Sequence, residues 1–181
     1  MPSAVNLGQS SATGTFDLTA SGAITDSGTL TITGATHFDA GTNNITLDNT
    51  GHTFGTLTFS GAAVTVIEGA ATDLGASTIT GAFSLTSSGA VTDSGSLSIG
   101  GTTSIIATGQ AITLDDNASA FSGALTLKGS NISVLDADDT DLASVIATGT
   151  FALTSGGTLS GRSLEEVSYS SIAFFGSPPA R

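Results

Sequence analysis

Residues 16–36 read FDLTASGAITDSGTLTITGAT, and residues 83–103 read FSLTSSGAVTDSGSLSIGGTT. Continued without a gap to residues 54 and 121, the two stretches share 20 identities in 39 pairs at an offset of 67. After one inserted residue the match goes on, placing Phe59-Ser60-Gly61 on Leu127-Lys128-Gly129 and Thr72-Asp73-Leu74 on Thr140-Asp141-Leu142. A third copy opens at Phe151-Ala152-Leu153-Thr154-Ser155 and then fades. Repetition at a fixed period is the mark of a fold built by adding like units, each covering the open face of the one before.

Within a copy the local signal is alternation, as in Leu30-Thr31-Ile32-Thr33, Ile45-Thr46-Leu47-Asp48, Leu57-Thr58-Phe59-Ser60 and Val64-Thr65-Val66-Ile67. Period-two alternation buries one side of a short strand. Ser-Gly, Asp-Ser-Gly, Gly-Thr-Asn-Asn and Glu-Gly-Ala stand between these runs and supply tight turns, and no window carries helical spacing with caps. Short strands with frequent turns suit a sandwich, a barrel or a β-solenoid. The repeat favours the solenoid, since sandwiches and barrels have a fixed set of distinct strands whereas a solenoid adds coils. The sequence therefore predicts an all-β solenoid over residues 16–161, with 1–15 as lead-in or first coil and 162–181 as a non-repeat tail. A third of the repeat offset predicts coils of about 22, with Phe16, Phe38, Val64 and Phe83 at coil starts.

Charge narrows the partners. Fifteen acids against three basic residues give a net charge of −12, which repels phosphate backbones and anionic lipid surfaces alike. No nucleic acid partner and no membrane insertion are expected. The absence of cysteine excludes disulfides, thiolate metal sites and cysteine nucleophiles. The N-terminus lacks the pattern of a signal peptide, so the chain is expected to be either intracellular or a piece of a longer one.

The segments Ile24-Thr25-Asp26-Ser27-Gly28-Thr29-Leu30-Thr31-Ile32-Thr33-Gly34, Asn44-Ile45-Thr46-Leu47-Asp48-Asn49 and Leu74-Gly75-Ala76-Ser77-Thr78-Ile79 resemble the repeat modules of filamentous-haemagglutinin-type adhesins. These are large bacterial surface and secreted proteins, many exported by two-partner secretion. The resemblance implies a right-handed parallel β-helix, an extracellular or cell-surface location within a larger exported chain, and a host glycan or protein receptor. The family's N-terminal secretion domain has no counterpart here. The role implied is that of a structural and adhesive shaft module without catalysis or cofactor.

Each candidate for chemistry has a plain structural reading beside it. Asp136, Asp138, Asp139 and Asp141 form the run DADDTD, a spacing of hard oxygen ligands that could hold calcium, or a solvated acidic corner. Asp115-Asp116 and Glu165-Glu166 read as acidic corners too. His37 and His52 are the only histidines, and a hydrolase on this scaffold would have to pair one of them with an aspartate. The second copy has Ser104 and Ser119 at their positions, so the expectation is two surface polar residues beside turns. Outward threonines such as Thr31, Thr33, Thr46, Thr58 and Thr65 could order water as ice-binding solenoids do, or merely favour strands. Ser98, Gly100, Asp48 and Lys128 interrupt a regular T-x-T face.

The tail, SLEEVSYSSIAFFGSPPAR, is expected to be a cap over the last coil or a junction left by fragmentation or cloning. If it is no cap, Tyr169 to Phe175 is the segment expected to self-associate. Open coil edges likewise predict end-to-end association.

Overall fold

The computed structural model describes residues 3–161, with the backbone of 172–176. The tail expectations at Glu165-Glu166 and Tyr169 to Ser171 lie outside the described residues. Among the described residues all regular structure is β, in 24 short strands joined wholly in parallel. Most strands pair with a counterpart one coil further along the chain, as at Phe16↔Thr36, Val64↔Phe83 and Thr103↔Leu125. The chain thus winds as a β-solenoid of about eight coils of ~20 residues. Its core is one continuous column from Ile24 to Leu153, dominated by Leu, Ile, Val and Phe at essentially zero exposure. Alternation does this directly, because inward residues such as Val64, Val66 and Leu85 stack on their register partners while Thr65 and Ser84 face out.

A coil of about 20 rather than 22 changes the meaning of the repeat. Phe16 pairs with Thr36, and Phe38 with Leu18, so the spacing of 22 between these phenylalanines is two positions out of register. Phe16–Thr19 is the third strand and Phe83–Ser87 the thirteenth; one repeat is ten strands, or three coils of three strands and one strand more. The two copies therefore occupy different sides of the solenoid. Phe16–Thr19 lies with Thr36–Asp39 and Thr56–Gly61 in a twelve-stranded sheet, whereas its counterpart Phe83–Ser87 lies in a nine-stranded sheet with Thr103–Ile106 and Leu125–Gly129.

The corner glycines record the same displacement. A Cβ on Gly34 would strike the backbone at Gly14, and one on Gly101, its equivalent in the second copy, the backbone at Gly81. Only glycine lets successive coils close up at these corners. At a second corner the turn Ala40–Asn43 is closed by Asn43 N–H donating to Ala40 O at 3.0 Å, with positive φ (57°) at Gly41. In the second copy Gln110 N–H donates to Ala107 O at 2.9 Å and the positive φ (76°) is at Gly109. The glycine has moved from the first to the second central position, a change of turn type with the corner kept.

The nine-stranded sheet runs from Val5–Leu7 through every coil, while the twelve-stranded sheet forks. Thr56–Gly61 carries two strands of the next coil, Thr72–Leu74 on its first half and Ser77–Ile79 on its second. Beside the fork a three-stranded sheet, Ser10–Ala12, Leu30–Ile32 and Thr53–Phe54, comes to an end. The second copy repeats this at Leu125–Gly129, where Leu142 covers Leu125, the register then shifts, and Ser144–Ala147 covers the rest. Residues 172–176 extend the twelve-stranded sheet by pairing with Phe151–Ser155.

Candidate functional site

A parallel ladder that stops leaves backbone N–H groups pointing at nothing, and buried donors must find partners. Phe54 ends the three-stranded sheet. Its N–H donates to Oε1 of Glu68 at 2.9 Å, and the corresponding N–H of Phe121 donates to Oδ1 of Asp136 at 3.2 Å. Both acids are fully buried, and each is the last inward residue of its strand, Val64–Glu68 or Ile132–Asp136. A carboxylate oxygen thus replaces the carbonyl of a strand that is not there. Thr140 Oγ1 donates to Asp136 Oδ2 at 2.9 Å and lies 2.9 Å from Ser155 Oγ; in the first copy Thr72 and Ser87 make the same hydroxyl contact at 2.9 Å. Burial raises the carboxyl pKa of both Glu68 and Asp136, partly offset by the neighbouring threonine hydroxyl and then by the capped N–H. Oε2 of Glu68 makes no hydrogen bond of good geometry.

Asp136 thereby leaves the acidic corner expected of it. Strand parity turns its side chain inward, while Asp138, Asp139 and Asp141 stay exposed. Asp139 accepts from Thr158 N–H at 2.6 Å. Among the described residues no three acids or histidines converge on a point where a metal ion could sit.

His52 is also a correction to the surface reading, for it is fully buried. Its Nδ1 accepts from Leu30 N–H at 3.0 Å, and Ser119 Oγ accepts from Leu97 N–H at the same distance. Because Nδ1 accepts, the ring proton belongs to Nε2, which lies 3.4 Å from Oδ2 of Asp26, whose side chain is almost fully buried. Asp26 Oδ1 accepts from Asp48 N–H at 2.9 Å, and its counterpart Asp93 from Asp115 N–H at 2.9 Å and Asp116 N–H at 3.3 Å. Burial raises the carboxyl pKa of Asp93 as well.

His37 is on the surface as expected, half-buried on the twelve-stranded sheet, with Nδ1 3.1 Å from Oδ1 of exposed Asp17. Register sets Asp17, His37 and Thr58 side by side on three successive coils. An aspartate and a histidine thus meet at both positions, one pair open to solvent and one sealed. Sequence reasoning missed the caps at Glu68, Asp26 and Asp93, although the parity of Val64-Thr65-Val66-Ile67-Glu68 was signal enough for the first.

The forks surface as shallow grooves. One of about 400 Å³ is bordered by Gly34, Phe54, Gly55, Thr56, Asp73 and Thr92, and one of about 450 Å³ by Ser122, Asp138, Asp139 and Gly157. In the first, Asp73 Oδ2 accepts from Thr56 Oγ1 at 2.8 Å and Ser94 Oγ at 2.9 Å. No helix of the described residues is long and apolar enough to cross a membrane.

Parallel coils stacked in register around one core, with buried side chains where a strand is missing, define a repeat β-solenoid. Residues 2–60 and 61–128 each match the family model described as repeats of unknown function, DUF5649, and the chain belongs to that family. The second match is as long as one period of the repeat. No curated protein and no solved structure matches the chain.

Proposed function

We propose that the chain is a structural and adhesive shaft module of a large bacterial surface or secreted adhesin, working outside the cell and without catalysis. The observation that carries this reading is the continuous core and the nine-stranded sheet that runs through every coil, with the strands that stop met by buried side chains. Such a body transmits load along its axis and holds its turns at fixed spacing. Polar turns at the forks are the places where a host glycan or protein receptor is met by hydrogen bonding, and the coil edges join modules end to end.

A hydrolase reading has one specific observation in its favour, the solvent-facing Asp17–His37 pair beside Thr58. A panel of esters, glycosides and neutral and acidic polysaccharides, run on the wild type beside His37→Ala, decides between them. The shaft reading expects no turnover in either, together with retention of protein-coated beads on receptor-bearing cells. Turnover that disappears in His37→Ala overturns it.

A further inference from the structure

Phe16–Thr19 has a strand on one side only. It pairs with Thr36–Asp39, and among the described residues nothing pairs with its other edge. Phe16 and Leu18 are half-buried there, and with Val5, Leu7 and Ala12 of the same coil they pack against the column without being closed over. The second copy shows what closes this face. Residues 5–16 and 72–83 agree at six of twelve positions at the offset of 67, so the coil that opens at Thr72 is the first coil over again. There Phe83–Ser87, the counterpart of residues 16–20, is covered in register by Val64–Glu68, and Phe83 and Leu85 fall to 2 % and 1 % exposed. Residue 2 stands opposite Gly69, so within these 181 residues the first copy has no counterpart of Gly61–Glu68.

A second difference says which strand fits. Register sets Glu68 against Ser87 and Asp136 against Ser155, and each serine shares a hydroxyl contact of 2.9 Å with a buried threonine, Thr72 or Thr140. At the same two places the first coil has Ala20 and Val5. Acid and hydroxyls occur together at both covered sites, and the first coil lacks the hydroxyls. A carboxylate brought between Val5 and Ala20 would lose water and find no side-chain donor in return.

We infer that the free edge of Phe16–Thr19 takes a strand from another chain of this repeat family, lying parallel in the register of Val64–Glu68 and ending in an apolar residue where Glu68 stands. The main chain then supplies the ladder and the alternate side chains the selectivity, as in strand addition to other open sheet edges. A second copy of this chain does not donate either of its own strands of this kind, because Val64–Glu68 and Ile132–Asp136 are paired on both edges. The inference rests on the joining of modules by coil edges proposed above and not on the receptor, so it can fail while the receptor reading stands.

Fluorescence anisotropy on the whole chain tests it, with two labelled peptides as probes: residues 61–71, and the same peptide carrying Glu68→Val. The expected result is saturable binding of the Glu68→Val peptide, one per chain, roughly tenfold or more tighter than the unchanged peptide. In Val5→Thr/Ala20→Ser, which restores the hydroxyls, the preference is expected to shrink or reverse. Neither peptide is expected to bind a chain in which sequence 61–68, with Glu68→Val, is joined ahead of residue 2, because the edge is then filled covalently; the joined chain also melts at a higher temperature. No saturable binding of the Glu68→Val peptide, equal affinity of the two peptides, a preference unmoved in Val5→Thr/Ala20→Ser, or binding that persists in the joined chain overturns the inference. The receptor reading is tested separately, by retention on receptor-bearing cells.

Discussion

The two copies of the repeat solve the same structural problem with different residues. At the head of Leu30–Ile32 the first copy meets the Leu30 N–H with the ring of His52, and at the equivalent Leu97 the second uses the hydroxyl of Ser119. At the fork one copy uses Glu68 and the other Asp136. The first copy fills its core with a row of aromatic rings, Phe16 to Phe38 at 5.6 Å and Phe38 to Phe59 at 6.1 Å, which meets Phe83 at the head of the second copy at 6.4 Å. The second has Ile105 and Leu127 where the first has Phe38 and Phe59. What is preserved is the location of each unmet backbone donor and the apolar character of the column; the chemistry that serves them is interchangeable.

The largest expected effect comes from breaking the aromatic column. Phe38→Ala removes a fully buried ring and costs about 3–5 kcal/mol, read as a lower urea midpoint, with Ile105→Ala at or below it, about 2–5 kcal/mol. Next is Ser119→Ala, which strands the Leu97 N–H in the interior and costs about 1–3 kcal/mol by the same measurement. His52→Ser tests interchangeability itself. If a hydroxyl serves at Leu30 as it does at Leu97, the variant loses little beyond its cavity and is clearly less damaged than His52→Leu, which supplies no acceptor. An equal loss in the two would show that the ring's packing on Phe54, 5.4 Å away, matters more than the cap.

The pH dependence separates the copies by acid. Glu68, Asp93 and Asp136 have folded pKa values raised above 4.5, 3.8 and 3.8 by burial. The folded state therefore binds more protons than the unfolded one between those values and the raised ones. Their contribution to stability is fully present below the unfolded values and is lost as pH rises through the folded ones. Melting temperature is expected to fall as pH rises through that window, and Glu68→Gln and Asp136→Asn to flatten the curve each by its own share. A melting curve of unchanged slope in both variants would assign the effect to Asp93 or to relief of the net charge.

Much of the fold was legible because alternation and repetition are local properties. Leu30-Thr31-Ile32 and Val64-Thr65-Val66 declare their buried side unaided, and the repeat offset declares a stack. The coil length was not legible, because taking a third of that offset assumes that a repeat closes after whole turns. Ten strands do not divide by three, and a sequence offset contains no angle. The site was harder still. Asp136 reads as one of four acids in DADDTD until its parity with Ile132 and Val134 is followed, and His52 follows a turn, where a surface position is the natural expectation. That a side chain caps a missing strand depends on where the next coil lies, which only the folded chain supplies.

The displacement of one strand per repeat is a symmetry operation. One copy is carried to the next by a turn of about a third of a revolution and an advance of ~16 Å, taking strand spacing as ~4.8 Å, so a chain of such repeats is a threefold screw written in a single polypeptide. Any feature unique to a repeat returns to the same side only after three repeats, or ten coils and ~48 Å. A longer array would then display three equivalent stripes around its circumference, so that each feature of the repeat faces outward in three directions.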